Sequence, residues 1–175
     1  MKKYEYQGDA KKISVQSITN FLKAFKEGQL KPYYKSQRVP DDNSKPLKMI
    51  VGSTYNEIIF DNDNDVFVKY YAPWCGHCQQ MAKTWIDLAE HVKDVPGLVI
   101  AEMDSTENEA EDLDVPGFPT IKLYLKGKKN ESVEYEGDRE IFNFKEYLWE
   151  NSQAYRAYFP EKPTLPPLPE PFHTP

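Results

Sequence analysis

The sequence predicts an α/β fold in which helices cover both faces of a central mixed sheet, with an N-terminal helical extension and a Pro-rich C-terminal tail. Three observations carry this. From Pro46 onward strand-like and helix-like stretches alternate, the pattern of strands joined by crossover helices. A hairpin signal follows them, which adds antiparallel partners and makes the sheet mixed. Between one strand-like run and the next helix-like run stand the chain's two cysteines, Cys75 and Cys78.

Taken in order, Lys3 to Tyr6 reads as a strand end. Ser14 can cap a helix whose Ile18, Phe21, Leu22 and Phe25 fall on one face, and Gly28 suits its C-terminal stop. Lys31 to Lys45, polar and holding Pro32 and Pro40, reads as a linker. Lys48 to Val51 is then a short strand, and Tyr55 to Phe60 a short helix or turn. Val66 to Tyr71 is β-branched and aromatic, as a central strand should be. Met81, Trp85, Leu88 and Val92 mark one face of a long helix. Leu98 to Met103 is a second buried strand, and Glu107 to Leu113 a short acidic helix. Thr120 to Leu125 and Ser132 to Tyr135 flank a turn at Lys126 to Asn130, and Ile141, Phe142, Phe144 and Leu148 line a closing helix. The stretch from Pro160 to Pro175 holds seven prolines and little to bury, so it reads as extended or disordered tail.

Composition narrows the function. At 175 residues with 39 % apolar and 29 % charged residues, the chain has globular usage and room for one ordinary domain, or for one domain plus part of another. No apolar run approaches the roughly 20 residues a bilayer crossing needs. Met1 to Tyr6 lacks the apolar stretch and small residues of an intact secretory signal. A net charge of −6 with Lys and Arg spread along the chain argues against nucleic acid as a partner.

Two cysteines cannot build a multi-disulfide framework. A structural zinc site needs four ligands, which His91 and His173 are not spaced to complete. A solitary Cys-x-x-Cys opening a helix is read first as a redox dithiol. Cys75 would meet the free N–H groups of the long helix, which favour a thiolate, and His77 would add a second stabiliser. Cys78, one turn further in, would be the more buried, resolving sulfur. Pro73 and Trp74 would form an apolar rim for an extended peptide.

Tyr71-Ala72-Pro73-Trp74-Cys75-Gly76-His77-Cys78 is similar, letter for letter, to the active-site octapeptide of the protein disulfide isomerase family. Further blocks resemble that family in order and spacing: Val51 to Tyr55, Met103 to Thr106, Gly117 to Ile121 and Glu136 to Arg139. The resemblance spans about Pro46 to Ser152. It implies a thioredoxin fold at 46–152 acting in the endoplasmic reticulum lumen, with residues 1–40 as the end of a preceding non-catalytic domain plus linker. It also implies an enzyme that forms, reduces and rearranges disulfides in unfolded or partly folded polypeptides, with glutathione or a thiol oxidase as redox partner and no cofactor. Phe118 and Pro119 would bind substrate, Pro119 through a cis bond facing the dithiol.

Three departures stand out. The family's buried glutamate and its neighbouring-strand lysine are exchanged here, as Lys69 and Glu102. An opposite charge is the expected remedy for a lysine in a central strand, so the two are expected to form a reversed buried pair relaying protons for Cys78, or else one reaches solvent. Pro116 occupies the position of an arginine that assists the inner cysteine, which predicts slower re-oxidation. Lys83 replaces a kinking proline and predicts a straighter long helix.

Other signals are smaller. Asp61 to Asp65 mimics the start of a calcium loop but lacks its glycine and twelfth acid, so it reads as a turn. Asn130-Glu131-Ser132 is a glycosylation sequon, usable only in the secretory lumen. Two rival functions remain open at this point: a redox-inert chaperone or scaffold with an incidental dithiol, and a thioredoxin-type reductant. The reductant would show a potential nearer about −270 mV than the isomerase's about −180 mV.

Overall fold

The computed structural model describes residues 2–60 and 63–165. The chain divides into two compact units, Met1–Lys35 and Ser36–Pro175. In the first, a 3-10 turn at Ala10–Lys12 leads to α1, Val15–Lys26. Ser14 caps α1 as its residue type predicts. Its Oγ accepts from Ser17 N–H at 3.1 Å, and Ser17 Oγ accepts from Ser14 N–H at 2.9 Å. Gly28 follows at φ +68°, the left-handed conformation that ends helices. No residue of α1 is buried, and Ile18, Leu22 and Phe25 are about half exposed. Tyr4 meets Phe25 edge-on at 5.0 Å and Tyr6 meets Phe21 at 6.0 Å. The strand expected at Lys3 to Tyr6 reduces to one antiparallel bridge between Lys3 and Tyr33, because no longer run pairs with it among the described residues.

The second unit contains β1 (Leu47–Met49), α2 (Tyr55–Ile59), β2 (Asp65–Tyr71), α3 (Gly76–Gln80), α4 (Ala82–Val92) and β3 (Leu98–Asp104). After these come β4 (Thr120–Tyr124), β5 (Val133–Glu134), α5 (Ile141–Asn151) and α6 (Gln153–Tyr158). The five-stranded sheet has the order β1-β3-β2-β4-β5. β3 runs parallel to β1 and β2, whereas β4 is antiparallel to β2 and β5. The mixed sheet is therefore as expected, with β2 at its centre.

Strand alternation sorts the core into two layers. Val66, Val68 and Tyr70 of β2 face α2, meeting Tyr55, Ile59, Ala101, Met103 and Tyr124. Phe67 faces the other way, against Trp85, Phe144 and Leu148 of α4 and α5. Its ring lies 5.0 Å from Trp85 and 5.6 Å from Tyr147. Burial of an aromatic or aliphatic side chain of this size stabilises by about 1.5–3 kcal/mol, so these layers hold β2 rigidly. Lys69 shares the Phe67 face.

Three expectations need correction. Glu107 to Leu113 is not helical but a chain of turns. There the buried Asn108 side chain outcompetes helix formation. Its Oδ1 accepts from Gln37 N–H at 2.9 Å and Gly52 N–H at 3.0 Å, while its Nδ2 donates to Gln37 Oε1 and Asp104 O. The predicted long, straight helix is interrupted at Met81, whose φ and ψ are −88° and −2°, two residues before Lys83. The cause is packing rather than proline: Cys78 turns into a small cluster with Ala72 and Cys75, while Met81 and Trp85 enter the main core. Exposed Lys83 instead pairs with Asp87 at 2.5 Å. Finally, Asp65 belongs to β2, not to a turn. It is buried, accepting from Ser152 Oγ at 2.6 Å and Lys126 N–H at 2.8 Å. Residues 61, 62 and 166–175, including most of the Pro-rich tail, lie outside the described residues.

Candidate active site

β2 delivers the chain to Tyr71. Buried Ala72 follows, and a tight turn through Pro73 and Trp74 brings Cys75 to the N-cap of α3. Two bonds hold that turn: Cys75 N–H donates to Ala72 O at 3.1 Å, and Gln79 Nε2 donates to Pro73 O at 2.8 Å. Cys75 and Cys78 form a disulfide with their Cα atoms 5.2 Å apart. The capping role of Cys75 is direct, since its Sγ accepts from Cys78 N–H at 3.2 Å. Cys75 is 7 % exposed and Cys78 4 %, so the expected order of burial holds with a small margin.

Gly76 and His77 are exposed beside the disulfide. A Cβ on Gly76 would meet nothing within 4 Å. The glycine therefore relieves no clash and leaves the mouth uncovered. Because α3 has only five residues, the sulfur meets the Cys78 N–H of its first turn and not the dipole of one long helix.

The opposite lip comes from the loop entering β4. The Phe118–Pro119 peptide bond is cis, and Thr120 Oγ1 donates to Gly117 O at 2.8 Å, closing the turn. Phe118 packs against the Ala72, Cys75 and Cys78 cluster. Trp74, 73 % exposed, meets Phe118 edge-on at 5.8 Å. The result is an apolar shelf beside the disulfide, made by the touching rings of Trp74 and Phe118.

Lys69 and Glu102 sit opposite each other in the β2–β3 register, with Lys69 Nζ 2.7 Å from Glu102 Oε2. Their side chains are 4 % and 19 % exposed, so the lysine does not reach solvent. The ammonium also lies 5.1 Å from the Tyr71 ring centre and 5.9 Å from that of Trp85. Burial, then the Glu102 and Asp104 carboxylates, pushes the Tyr71 hydroxyl up to about 12, so it stays protonated at neutral pH. The ion pair thus ties β2, the strand that leads into the disulfide, to its parallel neighbour β3. Sequence reasoning passed over Gln79, whose bond to Pro73 depends on loop geometry and has no signature in the chain.

Residues 46–150 match the protein-family profile described as Thioredoxin. Over 150 residues the chain is 41 % identical to Protein disulfide-isomerase of Oryctolagus cuniculus, an alignment covering 85 % of this chain and 30 % of that protein. It is 40 % identical over 164 residues to Protein disulfide-isomerase A2 of Homo sapiens, covering 93 % and 31 % respectively. The chain therefore spans about a third of the length of these curated relatives. The solution structure of the first thioredoxin domain of mouse Protein disulfide-isomerase A4 is 29 % identical, covers 79 % of this chain and 96 % of that one, and superposes with a TM-score of 0.51.

Proposed function

Because the chain belongs to the thioredoxin family, we propose that it is a thiol–disulfide oxidoreductase that forms, reduces and rearranges disulfides in secretory-pathway polypeptides. The observation that carries this reading is the Cys75–Cys78 disulfide at a helix N-cap, flanked by the Trp74 and Phe118 shelf. In the reduced enzyme, Cys75 attacks one sulfur of a client disulfide. A Cys75–client bond forms, the client bond breaks, and the second client sulfur leaves as thiolate. Cys78 then displaces the client from Cys75, so two electrons pass to the client and the Cys75–Cys78 bond forms. Run backwards, the same steps oxidise a client dithiol, and release to a different client thiol is isomerisation. Reduced glutathione returns the dithiol after client reduction, a thiol oxidase or oxidised glutathione returns the disulfide after client oxidation, and the exchange itself needs no cofactor.

Cys75 is the nucleophile, with Cys78 N–H placed to stabilise its anion once the disulfide opens. His77 lies exposed next to Cys78 and is the polar neighbour of the pair, and Gly76 keeps the mouth open. Trp74, Phe118 and Pro119 receive the client as an extended segment. Lys69 and Glu102 serve as a buried pair that passes the Cys78 proton, supported by their burial and by the place of Lys69 on β2, the strand that runs into the site. The endoplasmic reticulum lumen is the compartment in which such clients acquire disulfides. Residues 46–152 are the catalytic domain, 160–175 a Pro-rich tail, and 1–40 the end of a preceding domain plus linker. An α1 whose apolar face buries no residue supports that last assignment.

The test is the pH dependence of alkylation by iodoacetamide in the reduced protein. An ordinary thiol of pKa about 8.5 loses roughly tenfold in thiolate per pH unit below neutrality. Cys75 should lose clearly less between pH 7 and 6, and Cys75→Ser should abolish both this reaction and client disulfide reduction. A tenfold fall matching a free thiol, or client turnover surviving Cys75→Ser, would overturn the assignment.

A further inference from the structure

The hairpin joining β4 to β5 carries chemistry that the dithiol does not use. Asn130-Glu131-Ser132 satisfies the acceptor pattern for N-linked glycan, with a non-proline residue at the middle position. Sequons arise by chance, and what distinguishes this one is its setting. Asn130 lies in a turn, and Asn130, Glu131 and Ser132 are all exposed. Among the described residues neither the Asn130 amide nor the Ser132 hydroxyl is engaged by another side chain or by backbone, so nothing in the fold must break to present them. β5, which follows at once, is two exposed residues long at the edge of the sheet, so the segment can adapt to a transferase.

Two further features make a glycan compatible with the fold. Asn130 and Ser132 border an open groove of about 680 Å3 whose other walls include Phe60, Lys122, Tyr124 and Lys129. Half-buried Phe60 offers an aromatic surface to the apolar face of a first sugar. The hairpin also lies at the far end of the sheet from the dithiol. Val66 pairs with Tyr124 and Tyr70 with Thr120, so β4 leaves the cis Phe118–Pro119 lip and ends beside the start of β2. The seven residues of β2 separate the two ends by about 20 Å.

We propose that Asn130 is an N-glycosylation site, taking an oligosaccharide from a polyprenyl-pyrophosphate donor. The Asn130 amide nitrogen attacks C1 of the reducing-end sugar. A C–N bond forms, the C1–O bond to phosphate breaks, polyprenyl pyrophosphate leaves with that electron pair, and the amide proton passes to a base of the transferase. No electron is exchanged with Cys75 or Cys78.

This inference rests on the lumenal reading above, and the experiment separates the two. The full chain, carrying a secretory leader and a second reporter sequon on an N-terminal tag, is expressed in a eukaryotic secretory host. Only molecules whose reporter is glycosylated are scored, which restricts the measurement to chains that reached the lumen. The expected result is a two-glycan species. Asn130→Gln and, separately, Ser132→Ala each lose one amidase-sensitive mobility step, and enzymatic deglycosylation in heavy-oxygen water labels Asn130. Client disulfide reduction should be unchanged in both variants, which shows that they fold. Reporter-glycosylated chains with an unmodified Asn130 peptide would overturn the proposal without touching the compartment assignment. That assignment is read independently, by fractionation of the untagged parent protein in its own cells.

Discussion

Breaking the Lys69–Glu102 pair should expose how much of this fold depends on one buried charge. At an effective dielectric near 20, unit charges 2.7 Å apart attract by about 6 kcal/mol, most of which the desolvation of both groups offsets. The informative quantity is therefore the loss of one partner. Glu102→Gln leaves an ammonium that is 4 % exposed without its carboxylate, and we expect destabilisation of about 3–4 kcal/mol. Lys69→Met should do less harm, about 2 kcal/mol, because Glu102 is 19 % exposed and can recruit water. Lys69→Met combined with Glu102→Leu replaces the pair by apolar groups and should return to within about 1 kcal/mol of the parent. Urea unfolding at pH 7, followed by tryptophan fluorescence, measures all three. Single variants within about 1 kcal/mol of the parent, or a double variant as damaged as the sum of the singles, would refute the reasoning. Two further variants address proton transfer. Dithiol oxidation rates of Glu102→Ala and Lys69→Leu, scaled to the folded fraction, should depart from the parent across pH 6–8. If both follow the parent, the pair is purely structural.

Two other perturbations probe contacts away from the dithiol. Asn108→Ala strands Gln37 N–H, Gly52 N–H and Asp104 O, and should cost about 2–4 kcal/mol with faster hydrogen exchange at Gln37 and Gly52. A loss below about 1 kcal/mol would mean that water replaces the side chain. His91 stacks on Phe159 with ring centres 4.6 Å apart, and its Nε2 lies 3.1 Å from Tyr155 Oη. Burial, then the Lys145 charge, holds its pKa below the usual 6.5. As pH falls the unfolded chain takes up this proton first, so the contribution is complete above about pH 6.5 and shrinks below it. His91→Phe should therefore give a flatter decline in urea midpoint between pH 7.5 and 5 than the parent, and parallel declines would exclude His91 as a source of the slope.

Much of the fold was legible because local chemistry and tertiary demand agree along most of the chain. Val66 to Tyr71 suits only a buried strand, Ser14 and Gly28 bracket a helix, and the hairpin turn separates two alternating runs. The dithiol and its surrounding octapeptide were legible for a related reason, since their residues are contiguous and spacing alone sets the geometry. The partnership of Lys69 with Glu102 could be anticipated because a buried strand charge demands an opposite one, although only the parallel register shows that they meet.

What the chain alone determined is therefore its contiguous features: the strands, the caps and the Cys75–Cys78 motif. Only tertiary packing decided the rest. Asn108 unwinds an acidic stretch by bonding to residues distant in sequence, and Asp65 is anchored by Ser152 from the opposite end of the domain. Met81 interrupts a helix because Cys78 and Trp85 are drawn into different clusters. The reason is common to all three. A polar or apolar group is satisfied by whatever the fold brings near it, and closure over tens of residues leaves no periodicity or spacing in the chain to read.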